Sequence, residues 1–148
     1  MNPIRRSFAA TVACVALALP LSSIAAEDKA AQKPQKERVV IQVSDADPQK
    51  WNLALNNAKN VQVDLGADKT EVEIVAYGPG IGMLKLDAPT NSRVTDAIKA
   101  GVAVQACENT MRNQKLERAD MHPNVTYVPA GVVQIIRRQQ AGWAYLRP

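Results

Sequence analysis

Cysteine is almost missing from this 148-residue chain, with only Cys14 and Cys107 present. Cys14 falls inside a leading apolar run, so the remainder carries Cys107 alone. That excludes an internal disulfide and a C-x-x-C dithiol centre. Histidine is scarcer still, with His122 the sole copy. One His and one Cys do not form a zinc site without further ligands or neighbouring subunits, so no metal is expected. No cofactor is expected either. The glycine-rich Gly78-Pro79-Gly80-Ile81-Gly82 lacks the dinucleotide-binding spacing, and Asp96 matches the acidic position of that fingerprint only loosely. A concentrated basic patch is also lacking. The formal charge is +4, but removing Arg5 and Arg6 from the 18 basic residues leaves 16 against 14 acidic ones, about +2. The two signs are interspersed, which excludes nucleic acid and an anionic membrane surface as partners.

The first segment reads as an address and not as part of the fold. Arg5 and Arg6 precede an apolar run from Ser7 to Leu21, followed by the small residues Ser22, Ser23, Ala25 and Ala26. This is the pattern of a secretory signal peptide, residues 1–25, and it predicts a periplasmic location. Pro20 and the polar sequence beyond it argue against a membrane anchor, and no other segment is apolar enough to span a bilayer. Residues 26–37 are polar and of low complexity, a disordered tether. The folded domain is expected at 38–148, roughly 110 residues, enough for one modest core.

Within that domain strands and helices alternate. Strands are predicted at 38–43, 71–77, 102–107, 125–128 and 143–147, with a short strand or turn at 83–86. A helix is expected after Asp47 and Pro48, with Trp51, Ala54, Leu55, Ala58, Val61 and Leu65 as its apolar residues and Gly66 at its end. A second begins at Asn91 or Ser92, carries Val94, Ala97 and Ile98, and closes at Gly101. A third passes Met111 and Leu116. The last opens at Pro129 with Val132, Val133, Ile135 and Ile136 as its apolar residues and ends at Gly142; Arg137 and Arg138 are placed on its solvated side. The alternation predicts a three-layer α/β/α sandwich with a mostly parallel five-stranded sheet. Trp51, Trp143 and Tyr145 read as core or subunit interface, since the terminal strand is a natural edge.

Ligands of such sheets bind beyond the carboxyl ends of the strands. The loops expected on that rim are Ser44-Asp45, Tyr77-Gly78-Pro79-Gly80, Cys107-Glu108-Asn109 and Val128-Pro129-Ala130. Cys107 ends a strand and enters a helix, where unpaired N–H groups and the positive end of the helix dipole favour thiolate over thiol. Asn109 and Thr110 supply capping side chains, and both are candidates to donate to an anionic sulfur group. Glu108 is expected to face solvent. Gly78 and Gly80 allow close backbone approach to a ligand, and Asp45 is a further ligand-binding candidate, whereas Asp47 is accounted for as a cap.

With these pieces in order, the chain resembles the DsrE/DsrF-like family of sulfur-relay proteins across residues 39–148. The resemblance rests on Ala76-Tyr77-Gly78-Pro79-Gly80, Ala106-Cys107-Glu108-Asn109-Thr110-Met111 and Tyr127-Val128-Pro129-Ala130-Gly131-Val132. It is stronger toward a small exported branch than toward the cytoplasmic, hetero-oligomeric relay subunits. The resemblance implies a flavodoxin-like subunit of the DsrE type, assembling as a homotrimer or homohexamer. It also implies a persulfide carried on the cysteine after a central strand, the position Cys107 occupies. The partner would be a sulfur donor or acceptor protein, or a small sulfur compound. No general base lies near Cys107 in sequence, which favours a carrier or sulfurtransferase over a self-sufficient enzyme. The alternative is a non-catalytic oligomeric module, binding a small ligand or a partner, in which Cys107 is only structural.

Overall fold

The structure, a computed structural model, describes residues 36–148. The signal peptide at 1–25, and all but the last two residues of the tether at 26–37, lie outside the described residues.

The first strand, β1, covers Glu37–Val43, one residue earlier than expected. Asp47 then accepts a 2.8 Å hydrogen bond from the Gln49 amide and Pro48 fills the first turn of α1 (Pro48–Leu65). Both residue types suit a helix start: the carboxylate satisfies an orphan N–H and proline has none to lose. Trp51, Ala54, Leu55 and Ala58 recur at helical spacing and are buried. Leu65, counted with them from the sequence, is exposed at the last turn. Strand β2 (Thr70–Ala76) follows, then a 3-10 helix over Gly78–Leu84. The short strand considered for 83–86 is replaced by the end of that helix and one isolated bridge, Lys85 to Met121.

The chain continues through α2 (Asn91–Lys99), β3 (Ala103–Cys107), α3 (Glu108–Asn113), β4 (Thr126–Val128), α4 (Gly131–Gln140) and β5 (Ala144–Leu146). The later strands shift by a single residue at one or both ends, to 70–76, 103–107, 126–128 and 144–146, and two helix boundaries differ more. Helix α3 stops at Asn113, short of Leu116, and α4 starts at Gly131, with Pro129 in the extended chain before it.

All strand pairs are parallel, in the order β4-β3-β2-β1-β5, which makes β5 an edge as expected. The protein is a three-layer α/β/α sandwich. One face of the sheet packs against α1 and α2 through a large apolar cluster that includes Ile41, Ile74, Val104 and Ala106. Met111 of α3 joins the same cluster. The other face is crossed by α4, and its apolar cluster is small: Val40, Val75, Val128 and Ile135, with Tyr77 and Trp143 against it. At roughly 1.5–3 kcal/mol per buried aliphatic side chain, most of the hydrophobic stabilisation lies on the α1–α2 face.

This division positions the site. After β3 the chain turns toward the α1–α2 face; after β4 it turns toward the opposite one. The crevice between two such neighbouring strands is where a parallel sheet has room for chemistry. Cys107 ends β3 there, in register with Val128 of β4.

Candidate functional site

Cys107 is a free thiol, 4% exposed. It stands at the cap position before α3, in extended backbone. Its sulfur turns to the other helix: the Gly131 amide, first in α4, donates to Sγ at 3.2 Å. The close seating of α4 explains why position 131 is glycine. A Cβ there would lie 3.0 Å from Cβ of Tyr77 and 3.3 Å from Cβ of Cys107.

Burial pushes the thiol up, but donors outweigh it. The Thr110 hydroxyl and the amides of Gly131, Thr110 and Asn109 hold the Cys107 thiol below its ordinary value. Thr110 is well placed for that task. Its Oγ1 accepts from the Gly78 amide at 2.9 Å, which leaves the hydroxyl proton for the sulfur. A thiolate so surrounded has fixed dipoles in place of water.

The expected rim loops converge, with roles partly redistributed. Thr110 reaches Gly78 and not the start of its own helix, so the capping assignment is corrected: neither Asn109 nor Thr110 makes a side-chain cap. Asn109 is exposed, its side-chain oxygen holding Arg112, while its amide donates to the Pro129 carbonyl at 3.2 Å. Gly78 contributes its N–H to Thr110 and its carbonyl to Gln114. Gly80 is packed against β1, where a Cβ would meet the Val43 carbonyl oxygen at 2.3 Å. That glycine fastens the loop to the sheet and offers no open backbone to a ligand. Asp45 is committed to Lys50 at 3.1 Å and Arg147 at 3.7 Å. Glu108 pairs with Arg118 at 3.1 Å.

His122 is buried away from the thiol, with Nε2 2.8 Å from Thr95 Oγ1, and desolvation lowers its affinity for a proton. Among the described residues no three or more His, Cys, Asp or Glu side chains gather to hold a metal. No helix among them is long and apolar enough to cross a membrane. A cleft of about 280 Å³ between α1 and α2, lined by Leu55, Lys59, Arg93, Asp96 and Val102, does not include Cys107.

Two features were not drawn from the sequence: the packing of Tyr77, which was placed on the rim without a role, and the burial of Glu73. Tyr77 is half-buried against Gly131, and burial, with the Tyr145 phenol nearby, raises its pKa from the ordinary phenol value. Its signal was strand alternation, which puts it on one face with Glu73 and Val75. Glu73 itself is 1% exposed, and Arg138, expected on a solvated face, donates to it from Nε at 2.8 Å and pairs through Nη2 at 2.6 Å. No periodicity marks a buried carboxylate within an apolar strand.

Fold and rim define a DsrE-like α/β subunit with one cysteine at the crevice. The chain belongs to the same family as MTH1491 from Methanobacterium thermoautotrophicum, a protein of unknown function. The two are 34% identical and superpose with a TM-score of 0.73 over 76% of this chain and 100% of that one. BT1422 from Bacteroides thetaiotaomicron, also of unknown function, shares the fold at 12% identity and TM-score 0.63, over 76% and 95% of the two chains. The ychN protein of E. coli shares it at 10% and 0.58, over 77% and 99%. No family model and no curated protein matches the sequence.

Proposed function

We propose that the protein is a sulfur-relay-type carrier of the DsrE/DsrF-like kind, from its exported branch and working in the periplasm. Cys107 holds sulfane sulfur as a persulfide. The observation that carries this reading is the 3.2 Å bond from the Gly131 amide to Sγ at the head of a ten-residue helix, with the Thr110 hydroxyl beside it. In the first step the Cys107 thiolate attacks the outer sulfur of a persulfide or of thiosulfate. An S–S bond forms to Cys107, and the old one breaks to release a thiolate or sulfite. In the second, an acceptor thiolate attacks the outer sulfur and Cys107 leaves as thiolate. Neither step requires a second cysteine in this chain. The side chains over Sγ must move to admit the donor, and once closed they shield the terminal sulfur from water. In this reading the chain assembles as a homotrimer or homohexamer, and the exposed Val132, Val133 and Ile136 of α4 supply apolar surface for the assembly to bury.

The test is to incubate the purified protein with thiosulfate, polysulfide or a low-molecular-weight persulfide and map adducts by mass spectrometry. One added sulfur on Cys107, absent in Cys107→Ser, is the expected result; no adduct with any donor removes the proposal. A second reading, a non-catalytic oligomeric module, draws on the 4% exposure of Cys107. It predicts a thiol that alkylates only after denaturation, where the carrier reading predicts alkylation of the native protein at neutral pH.

A further inference from the structure

Helix α4 lies on the sheet by a stripe that is only partly apolar. Gly131, Gln134, Ile135 and Arg138 stand at helical spacing along one side, and of these Ile135 is the one buried aliphatic residue. Opposite them, Glu73, Val75 and Tyr77 alternate along β2 and its continuation. The two rows meet member by member. Tyr77 meets Gly131, Val75 shares a cluster with Ile135, and Glu73 takes Gln134 and Arg138.

The lengths agree. Gly131 to Arg138 spans about 10 Å of helix, and Glu73 to Tyr77 about 13 Å of strand. The helix therefore runs antiparallel to the strands, with its first amide over the crevice and its last turns over the middle of the sheet. Apolar contact alone leaves such a helix free to slide, because one isoleucine against Val40, Val75 and Val128 specifies depth better than register. The carboxylate adds direction. Oε1 accepts from Gln134 Nε2 at 2.8 Å, and Oε2 takes both Nε and Nη2 of Arg138. Its partners in register on the neighbouring strands, Val40 and Ala103, are uncharged, and among the described residues its side-chain bonds go to Gln134 and Arg138. Arg138 is held in turn over the Trp143 ring, 4.5 Å from its centroid.

We propose that Glu73 is a positioning residue for Cys107: by clasping Gln134 and Arg138 it sets the register of α4 at which the Gly131 N–H meets the sulfur. This rests on Cys107 being the working atom of the protein. Glu73 touches neither sulfur nor donor; it acts through the helix. An ion pair buried on one side is a poor source of net stability, and fixing a register is the better-attested use of one.

The test is the pH profile of Cys107 alkylation in Glu73→Gln, read with the backbone amide exchange of Gly131. The expected result is a midpoint raised by about one pH unit, the scale of one hydrogen bond to an ionised acceptor. Gly131 loses protection while the amides of Ile74 and Val104 keep theirs. Restoring the carboxylate one methylene short, in Glu73→Asp, recovers part of the shift. An unchanged midpoint and unchanged Gly131 protection in folded Glu73→Gln overturn the proposal. Should that variant not fold, Gln134→Ala decides by the same two readouts, since it removes one arm of the clasp and leaves the Arg138 pair. Both readouts are independent of sulfur loading. A protein that takes up no persulfide but shows the shift refutes the carrier reading and keeps the clasp; one that loads sulfur without the shift does the reverse.

Discussion

The two faces of the sheet are built on different principles. The α1–α2 face is closed by aliphatic side chains gathered in one cluster, Ile41, Ile74, Val104 and Ala106 of the sheet with Ala54, Leu55 and Ala58 of α1. The cluster on the α4 face has four buried aliphatic residues among the described ones, and on the same face sit a buried carboxylate and its guanidinium partner. Cys107 belongs to the second face. The contrast teaches a division of labour. Non-directional burial holds the domain together, and directional polar contacts hold one helix where its first amide is useful. A site that must admit a reactant is better placed under the second kind of cover, which loses less apolar burial when it shifts.

The largest test of this contrast is a matched pair of truncations. Ile74 is fully buried in the larger cluster, and Ile74→Ala is expected to cost about 4 kcal/mol in urea unfolding. Ile135 packs against only a few aliphatic neighbours, and Ile135→Ala is expected to cost about 2 kcal/mol. The alkylation profile of Cys107 should order them the other way. Ile74→Ala leaves its midpoint in place while Ile135→Ala raises it, because only the second loosens α4. Equal costs, or a midpoint shift confined to Ile74→Ala, would break the contrast.

The same contrast explains what was legible in the sequence. The α1–α2 face was readable because apolar residues at 3.6 and 2.0 spacing suffice to specify it: Asp47, Pro48 and Trp51 to Ala58 fell as read. Helix α4 was read only in part: Ile135, one of its four expected apolar residues, is buried. Val132, Val133 and Ile136 are its conspicuous apolar residues, yet they are exposed, and the buried stripe holds a glutamine and an arginine. Hydropathy cannot choose that stripe, because the choice depends on Glu73, some sixty residues earlier in the chain. At the rim, the strand ends placed Cys107, Gly78 and Thr110 together. The bond from Gly131 to the sulfur was not legible, since it joins residues 24 apart through a loop whose course no periodicity records.

A smaller test uses pH on the apolar face. His122 is buried against α2, and desolvation alone lowers its pKa below the ordinary value of 6.5. The unfolded chain then binds the proton more readily than the folded one. Stability therefore falls as pH drops below about 6.5 and stops falling once the folded histidine is itself protonated. His122→Gln should flatten the urea midpoint against pH across that window. Cys107 has the same sign of pH dependence at the alkaline end. Its lowered pKa makes the fold favour thiolate, so its contribution to stability grows as pH rises toward 9 and Cys107→Ser removes it. One residue on each face thus reports on its own side at opposite ends of the pH scale.

The smallest expected effect lies on the outer side of α4. Val132 is 51% exposed and Ile136 is 49% exposed, one turn apart and facing away from the clasp. In the isolated chain Val132→Ser removes little burial and leaves a residue tolerable in a helix, so unfolding free energy should move by no more than about 0.5 kcal/mol. Two arrangements of α4 predict different outcomes. If the buried stripe is Gly131, Gln134, Ile135 and Arg138, this substitution is silent in thiol midpoint and in monomer stability. If instead Val132, Val133 and Ile136 faced the sheet, it would cost about 1–2 kcal/mol and loosen the crevice with it. Measured at a protein concentration low enough to keep the chain monomeric, the comparison isolates the orientation of α4 from anything a second copy contributes. Repeating it at high concentration with light scattering then reads the assembly separately. A loss of the oligomer with no loss of monomer stability would assign the polar stripe to the thiol and the apolar one to the partner subunit.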